Sequence, residues 1–191
     1  MIVCFGDSLT EGTGGVPYPY FLSRRLGTKV WNAGISGNRL LSDGFGEAGL
    51  RRFRRDALEV PGVTHVVVEL GINDLGMTPT PTADELVAGL ATLARAARAA
   101  GVKPIGATLP PTGGTTFEGF DTPDLERDRQ AVNAWVRATP EFAALVDIDA
   151  ALRDPDDPVR YRADLDSGDH LHPNHAGAAA IAESIDLEVF S

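Results

Sequence analysis

The sequence is poor in cysteine, in basic residues relative to acidic ones, and in long apolar runs. Its single cysteine excludes an intrachain disulfide. Lysine and arginine number 17 against 27 acidic residues, and the net charge of −10 disfavours a nucleic-acid partner or an anionic membrane surface. No apolar run approaches the ~20 residues of a membrane span, and no basic leader with a cleavage site precedes the first strand-like run. We therefore expect no membrane span and a cytoplasmic location, with a secreted mature form as the alternative.

Three motifs of common nucleotide-binding and hydrolytic folds are also missing. Gly6 and Gly12 lack the spacing and the following lysine of the Walker A pattern. The dinucleotide fingerprint Gly-x-Gly-x-x-Gly does not follow the first strand-like run. The Gly-x-Ser-x-Gly elbow is absent as well, which argues against the standard α/β-hydrolase fold.

Apolar, strand-like runs alternate with amphipathic helical stretches along the whole chain, without a linker or a repeat. The predicted strands are Ile2–Phe5, Lys29–Asn32, Val63–Leu70, Lys103–Leu109 and Ala144–Ile148. The predicted helices are Tyr18–Leu26, Glu47–Glu59, Thr82–Ala100, Leu125–Arg137 and Asn174–Ile185. Strands that are apolar throughout suit a parallel sheet covered on both faces. The pattern therefore predicts one α/β domain over residues 1–191, a three-layer α/β/α sandwich around a five-stranded parallel sheet.

The predicted helix Glu47–Glu59 is rich in arginine. Its apolar residues fall on one face, and its arginines fall mostly on the other. These are Arg51, Arg52, Arg54 and Arg55. A solvated helix face explains such a pattern better than an anion-binding patch does, so we expect these side chains to be exposed.

Three residues with catalytic chemistry occupy the two ends of the chain. Ser8 lies on a glycine-flanked turn directly after the first predicted strand. Asp169 and His172 stand three positions apart, just before an alanine-rich helical stretch. Serine hydrolysis needs a nucleophile, a base that takes its proton, and a carboxylate that orients the base. The three side chains are thus candidates for a catalytic triad.

The sequence resembles the SGNH hydrolase superfamily, specifically the GDSL-type esterase/lipase (acylhydrolase) family. Four blocks carry the resemblance, in the family's order and over almost the whole chain. They are Gly6-Asp7-Ser8-Leu9, Asn32-Ala33-Gly34-Ile35-Ser36-Gly37-Asn38, Gly71-Ile72-Asn73-Asp74 and Asp169-His170-Leu171-His172-Pro173. The resemblance implies a flavodoxin-like SGNH hydrolase fold and an esterase that acts on a small-molecule ester through a Ser-His-Asp acyl-enzyme mechanism.

The resemblance also implies a role for each matched residue. Ser8 would be the nucleophile, His172 the general base and acid, and Asp169 the residue that orients His172. The oxyanion hole would consist of the Ser8 N–H, the Gly37 N–H and the Asn73 side-chain amide, with Gly34 as a weaker alternative to Gly37. The neighbouring acids Asp7 and Asp74 are interpreted as structural, because aspartate commonly makes hydrogen bonds in turns and loops.

Two functions of other classes compete with this interpretation. Asp169, His170, His172 and His175 have a spacing that suits some metal sites. However, the four-block pattern already assigns Asp169 and His172, and no cysteine or glutamate cluster supports a metal elsewhere, so we expect neither metal nor cofactor. A non-catalytic ligand-binding protein on the same scaffold is the other alternative, and the complete set of catalytic residues argues against it.

The substrate is less well defined than the reaction. The short chain leaves little for a lid or a long acyl groove, which favours small acyl groups such as acetyl. The stretch from Asp164 to Asn174 resembles family members that act on carbohydrates, so an acetylated sugar is the preferred substrate. A lysophospholipase, a thioesterase or an arylesterase of the same family is the alternative. Phe117 and Phe120 in the loop Gly113–Asp121 would either contact the substrate or anchor the loop to the core.

Overall fold

A computed structural model describes residues 1–190, and within them five parallel strands form one sheet in the order β2-β1-β3-β4-β5. The strands are β1 Ile2–Gly6, β2 Val30–Gly34, β3 His65–Glu69, β4 Lys103–Ala107 and β5 Ala144–Val146. Each was predicted to within a few residues at either end. The predicted α/β architecture with a five-stranded parallel sheet is confirmed.

The helices cover both faces of this sheet. They are α1 Ser8–Glu11, α2 Tyr18–Leu26, α3 Gly49–Phe53, α4 Ile72–Gly76, α5 Ala83–Ala99, α6 Pro123–Ala138, α7 Ile148–Leu152 and α8 His175–Ser184, followed by a 3-10 turn, Leu187–Phe190. No helix among residues 1–190 is long and apolar enough to cross a bilayer.

Two apolar cores lie on opposite faces of the sheet, because successive strand residues point to opposite sides. Val3 and Phe5 of β1 pack with α3, α5 and α6, whereas Cys4 packs with α2, α7 and α8. Cys4 is fully buried, and this burial raises the pKa of its thiol to about 12, as expected for a core residue rather than a nucleophile. The two cores make the fold a three-layer sandwich.

The arginine-rich helix corrects one sequence prediction. Helix α3 continues as a π-helical turn, Arg54–Leu58, and Arg52 is completely buried rather than solvated. Its guanidinium donates to the Gly6 carbonyl (2.8 Å), the Ala33 carbonyl (2.9 Å) and Asn38 Oδ1 (2.9 Å). Helical periodicity places Arg52 on the polar face, but this face meets the carboxyl ends of β1 and β2, whose carbonyl groups accept its hydrogen bonds. The other three arginines are exposed, as predicted.

The carboxyl ends of the strands meet at one edge of the sheet, where α/β proteins place their ligands. Ser8 follows β1 and Asn73 follows β3. The segment after β2 carries Gly37, and the loop after β4 carries Phe117. The fold therefore collects the first three sequence blocks and the Phe117 loop at one edge.

Candidate active site

Ser8 begins helix α1 immediately after β1, in a turn with little spare room. A Cβ atom at Gly6 would lie 2.1 Å from Thr10 Oγ1 and 2.7 Å from the Glu69 carbonyl oxygen, so only glycine fits there. Asp7 caps the helix by accepting the Leu9 N–H at Oδ1 (3.1 Å). The Ser8 N–H has no acceptor among residues 1–190 and remains available to a ligand.

Asp169 and His172 are joined within a single turn. Asp169 Oδ1 accepts the N–H groups of Leu171 (2.9 Å) and His172 (2.8 Å), while Oδ2 accepts His172 Nδ1 (2.7 Å). Partial burial acts to raise the pKa of Asp169, but the hydrogen bonds from the His172 side chain and the backbone outweigh it and lower the pKa to about 2. Asp169 is therefore ionised at neutral pH and fixes the imidazole with Nδ1 protonated.

The imidazole links this turn to the start of the chain. His172 Nε2 lies 3.0 Å from Ser8 Oγ, within hydrogen-bond distance, although 164 positions separate the two residues. The predicted triad residues are therefore in contact in the order hydroxyl, imidazole, carboxylate. A constellation of this kind is how serine hydrolases are recognised on unrelated folds.

Hydrogen-bond donors surround the space beside Ser8. Gly37 has φ +72°, and a Cβ atom there would lie 2.7 Å from the Phe45 ring; its N–H has no acceptor among the described residues. Asn73 Nδ2 donates to Asp7 Oδ2 (3.0 Å) and to the Asn38 carbonyl (3.1 Å). Gly37, Asn73 and Ser8 line one cleft, as an oxyanion hole requires.

Gly34, the weaker alternative to Gly37, is placed differently. It ends β2, and its N–H bonds to Asn32 Oδ1 (2.9 Å). A Cβ atom there would lie 2.2 Å from the Glu11 nitrogen, so this glycine allows α1 to pack closely on β2. It does not line the cleft.

The acidic neighbours support the site from behind. Asp74 accepts the N–H groups of Leu40 (2.6 Å) and Leu41 (2.9 Å) and so holds the segment that follows Gly37. Burial raises the pKa of Asp7 to about 6, although the Leu9 N–H opposes it. The structural interpretation of both aspartates is consistent with these contacts.

Glu69 is a buried acid that the sequence analysis missed. It ends β3 with no exposed surface, and its Oε2 accepts the Thr10 hydroxyl (3.0 Å) and the Asp7 N–H (3.4 Å). Burial, with the Asp7 charge, raises the pKa of Glu69 well above its usual range. The sequence does contain a signal for this burial, because Glu69 ends a β-branched run that is predicted to be covered on both faces.

The cleft above Ser8 has a volume of about 270 Å³ and a mostly apolar wall. Its apolar side chains are Phe45, Met77, Phe117, Phe120 and Leu171. The two phenylalanines of the Gly113–Asp121 loop differ. Phe120 is buried against Gly76 and anchors the loop, whereas Phe117 is 47% exposed beside His172. A larger cleft of about 520 Å³, between α3 and α5, is lined by neither Ser8 nor any histidine.

The histidines of the metal hypothesis have separate partners. His170, with φ 60°, pairs through Nδ1 with Asp166, and His175 packs edge-to-face on Phe21. His172 faces Ser8. No group of three or more potential metal-ligating side chains is assembled among residues 1–190.

The chain is similar to proteins of a known family and to several solved structures. The model of the GDSL-like lipase/acylhydrolase family matches residues 4–180. No match was found among curated proteins. Solved structures of similar fold include a G-D-S-L family protein from Desulfitobacterium hafniense, with 23% identity, a TM-score of 0.75, and coverage of 96% of this chain and 95% of that one.

Two further structures are similar over most of both chains. A carbohydrate acetylesterase from Sinorhizobium meliloti shares 18% identity with a TM-score of 0.73, covering 96% of this chain and 94% of that one. The M. smegmatis aryl esterase shares 19% identity with a TM-score of 0.72 and the same coverage. Identities this low show a common fold. The family match shows that the chain belongs to the GDSL-like lipase/acylhydrolase family of SGNH hydrolases, and it is an ester hydrolase.

Proposed function

We propose that the protein hydrolyses carboxylic esters through an acyl-enzyme formed on Ser8. The observation that carries the proposal is the unbroken chain of hydrogen bonds from Ser8 Oγ through His172 to Asp169. In the first step Ser8 Oγ attacks the ester carbonyl carbon, and its proton passes to His172 Nε2. The carbon–oxygen bond to the alcohol then breaks, and His172 returns the proton to the departing oxygen.

Water completes the cycle. It attacks the acyl carbon while His172 Nε2 takes its proton, and the bond to Ser8 Oγ breaks as the proton returns to that oxygen. Asp169 stays ionised in both steps, because its pKa of about 2 lies far below neutral pH. Its carboxylate holds the imidazole in one tautomer and stabilises the imidazolium that forms.

The oxyanion of each tetrahedral intermediate would be stabilised by three donors, the N–H groups of Ser8 and Gly37 and the amide of Asn73. The two backbone donors are free in the resting site, whereas both hydrogens of Asn73 Nδ2 have protein acceptors. Asn73 would therefore exchange its bond to the neutral Asn38 carbonyl for one to the oxyanion and keep its bond to Asp7. Loss of one such donor typically costs ~10²–10³ in rate.

The substrate is proposed to carry a short acyl group such as acetyl, on a carbohydrate. A cleft of about 270 Å³ favours a short acyl group over the chains of a lysophospholipid. Because structures of similar fold include a carbohydrate acetylesterase and an aryl esterase, a sugar and a phenol are the two leaving alcohols to compare. The exposed ring of Phe117 beside His172 is the observation that keeps the aryl ester as a second candidate.

Substitution of the proposed nucleophile tests the function. Ser8→Ala is expected to lower the turnover of 4-nitrophenyl acetate by a factor of ~10⁴ or more, and a serine-reactive phosphonate should label Ser8 alone. Ser36→Ala is the matched control, because Ser36 lines the same cleft without contacting His172. Unchanged turnover in Ser8→Ala would refute the mechanism. Absence of both turnover and labelling in the wild type would favour the ligand-binding alternative.

The acyl and alcohol preferences need a substrate panel. Acetyl, butyryl, octanoyl and palmitoyl esters of 4-nitrophenol measure the acyl preference, and acetylated xylose and glucose measure hydrolysis of sugar esters. We expect kcat/KM to fall as the chain lengthens. A preference for palmitoyl esters would overturn the short-acyl proposal while leaving the triad in place.

A further inference from the structure

Two aromatic rings in the cleft stay exposed when most large apolar side chains are buried. Phe45 is 62% exposed and Phe117 is 47% exposed, and both line the cleft that contains Ser8. The other large apolar side chains with comparable exposure among residues 1–190 lie outside this cleft. Exposed aromatic surface at a catalytic cleft is typical of a binding surface.

Phe117 lies on the His172 side of the cleft. Its ring meets the imidazole edge-to-face, with 6.1 Å between centroids and an interplanar angle of 87°. The loop that carries it is fastened to the same turn, because Thr115 Oγ1 donates to the Asp169 carbonyl (2.8 Å). Phe120, buried against Gly76, fixes the other end of the loop. The loop that carries Phe117 is therefore fastened on both sides of this residue.

Phe45 lies on the Gly37 side. Its ring covers Gly37, and its carbonyl accepts Asn38 Nδ2 (2.9 Å). Asn38 is in turn fixed by the buried Arg52, whose Nε donates to Asn38 Oδ1 (2.9 Å). The two rings thus flank Ser8 from different sides, one next to the proposed base and one next to a proposed oxyanion donor.

The chemistry of the proposed reaction decides which part of the ester meets each ring. The departing oxygen must face His172 Nε2, because it receives a proton from that atom. The negative oxygen must face the donors at Ser8 and Gly37. The alcohol therefore leaves along the His172 side, where Phe117 stands, and the acyl group points away from it.

From this geometry, and resting on the proposed function, we propose that Phe117 determines the specificity for the alcohol part of the ester. It would favour an alcohol whose ring has a flat apolar face that packs on the phenyl ring. A phenol and a sugar both have this shape, and the experiment below distinguishes them. Phe45 is its matched control, because it is an exposed phenylalanine of the same cleft that lies against Gly37 rather than beside His172.

The test compares three acetate esters with the wild type, Phe117→Ala and Phe45→Ala. The esters are phenyl acetate, glucose pentaacetate, and hexafluoroisopropyl acetate, whose acyclic alcohol has an acidity near that of phenol. We expect Phe117→Ala to lower kcat/KM for a ring ester about five- to tenfold more than for the acyclic ester, the size of one aromatic contact. The ring ester with the larger loss identifies the alcohol. Phe45→Ala should leave the ratio of ring to acyclic ester unchanged, and Phe117→Tyr should restore it.

The rate of deacylation distinguishes a role in alcohol specificity from a merely structural role of Phe117. All three esters give the same acetyl-enzyme, which no longer contains the alcohol. Phe117→Ala should therefore leave the single-turnover rate of acetyl-enzyme hydrolysis within about twofold, whereas displacement of His172 would slow it, because His172 also acts in that step.

Three results would overturn the assignment: an equal loss on ring and acyclic esters, slowed deacylation, or a ratio that changes in Phe45→Ala and not in Phe117→Ala. Failure of the proposed function is separate, because it would appear as activity that survives Ser8→Ala.

Discussion

The buried carboxyl of Asp7 allows a quantitative prediction about stability. Burial raises its pKa from 3.8 to about 6. Between these pH values the folded protein holds a proton that the unfolded chain has released, so the free energy of unfolding falls as pH rises through this window and stays lower above it. A difference of this size is worth about 3 kcal/mol once both values are passed, at ~1.4 kcal/mol per pH unit.

Asp7→Asn removes this titration. Relative to the wild type, the variant should gain about 2–3 kcal/mol in the free energy of unfolding between pH 4 and pH 8, the part of the window those values span. A constant offset accompanies the gain. Asparagine cannot accept both the Leu9 N–H and Asn73 Nδ2 as Asp7 does, and one unsatisfied group costs ~1–3 kcal/mol at every pH. The offset cancels in the pH difference, which is therefore the quantity to measure.

Urea unfolding of both proteins at a series of pH values, with equal m-values required, measures the difference. Ser8→Ala is the control in the same turn, and it should differ from the wild type by a constant amount, because it removes no carboxyl. A difference between Asp7→Asn and the wild type that stays flat from pH 4 to pH 8 would refute the reasoning about Asp7.

The same variant should also lose activity at neutral pH. The side-chain nitrogen of the new asparagine would face Asn73 Nδ2, two donors would meet, and the Asn73 amide would turn away from the oxyanion. We expect kcat for 4-nitrophenyl acetate to fall about 10- to 100-fold with little change in KM, less than the ~10²–10³ for loss of a donor. Full activity would show that Asp7 does not orient Asn73.

Two further predictions concern packing around the site. Gly37→Ala should lower kcat and the free energy of unfolding by more than Gly27→Ala. Both glycines have positive φ, which costs an alanine ~1–2 kcal/mol, but a Cβ atom at Gly37 would lie 2.7 Å from the Phe45 ring whereas one at Gly27 would face open space. Equal losses in the two variants, measured by urea unfolding and esterase assay, would contradict this. Arg52→Lys should cost about 2–4 kcal/mol, because lysine cannot reproduce the bonds that the buried guanidinium donates to Gly6, Ala33 and Asn38. The exposed Arg54→Lys should stay within ~0.5 kcal/mol. Similar urea midpoints for the two variants would exclude a structural role for Arg52.

The sheet could be predicted from local patterns in the sequence, whereas the approach of His172 to Ser8, across 164 positions, was implied by the resemblance to a known family. Apolar runs without polar alternation predict strands covered on both faces, and their carboxyl ends share one edge. Ser8 and Asn73 each follow such a run, so their convergence was predictable without knowledge of the strand order. The Asp169–His172 contact is local as well, because three residues close one turn.

The buried charges could not be predicted by the same means. Helical periodicity assigns Arg52 to water because it considers only the helix that carries the residue. The acceptors that make its burial possible belong to Gly6, Ala33 and Asn38, which other segments bring together after folding. Glu69 is similar, since its partners Asp7 and Thr10 lie on a different element. The stability of a buried charge depends on partners in three dimensions, which one sequence does not display.

The proposed determinant of specificity, Phe117, lies in the loop after β4, outside the elements that carry the triad. Phe117 and Phe120 stand three positions apart in one irregular segment, so no periodicity distinguishes them. Gly76 makes the difference, because without a Cβ it leaves space that the Phe120 ring fills, and the loop is fastened with Phe117 facing the cleft. Ser8 and Asn73 follow strand ends, where the fold itself aligns them. Phe117 is aligned only by the anchoring of its loop, so alcohol preference can change in this fold through one anchored loop while the triad stays fixed.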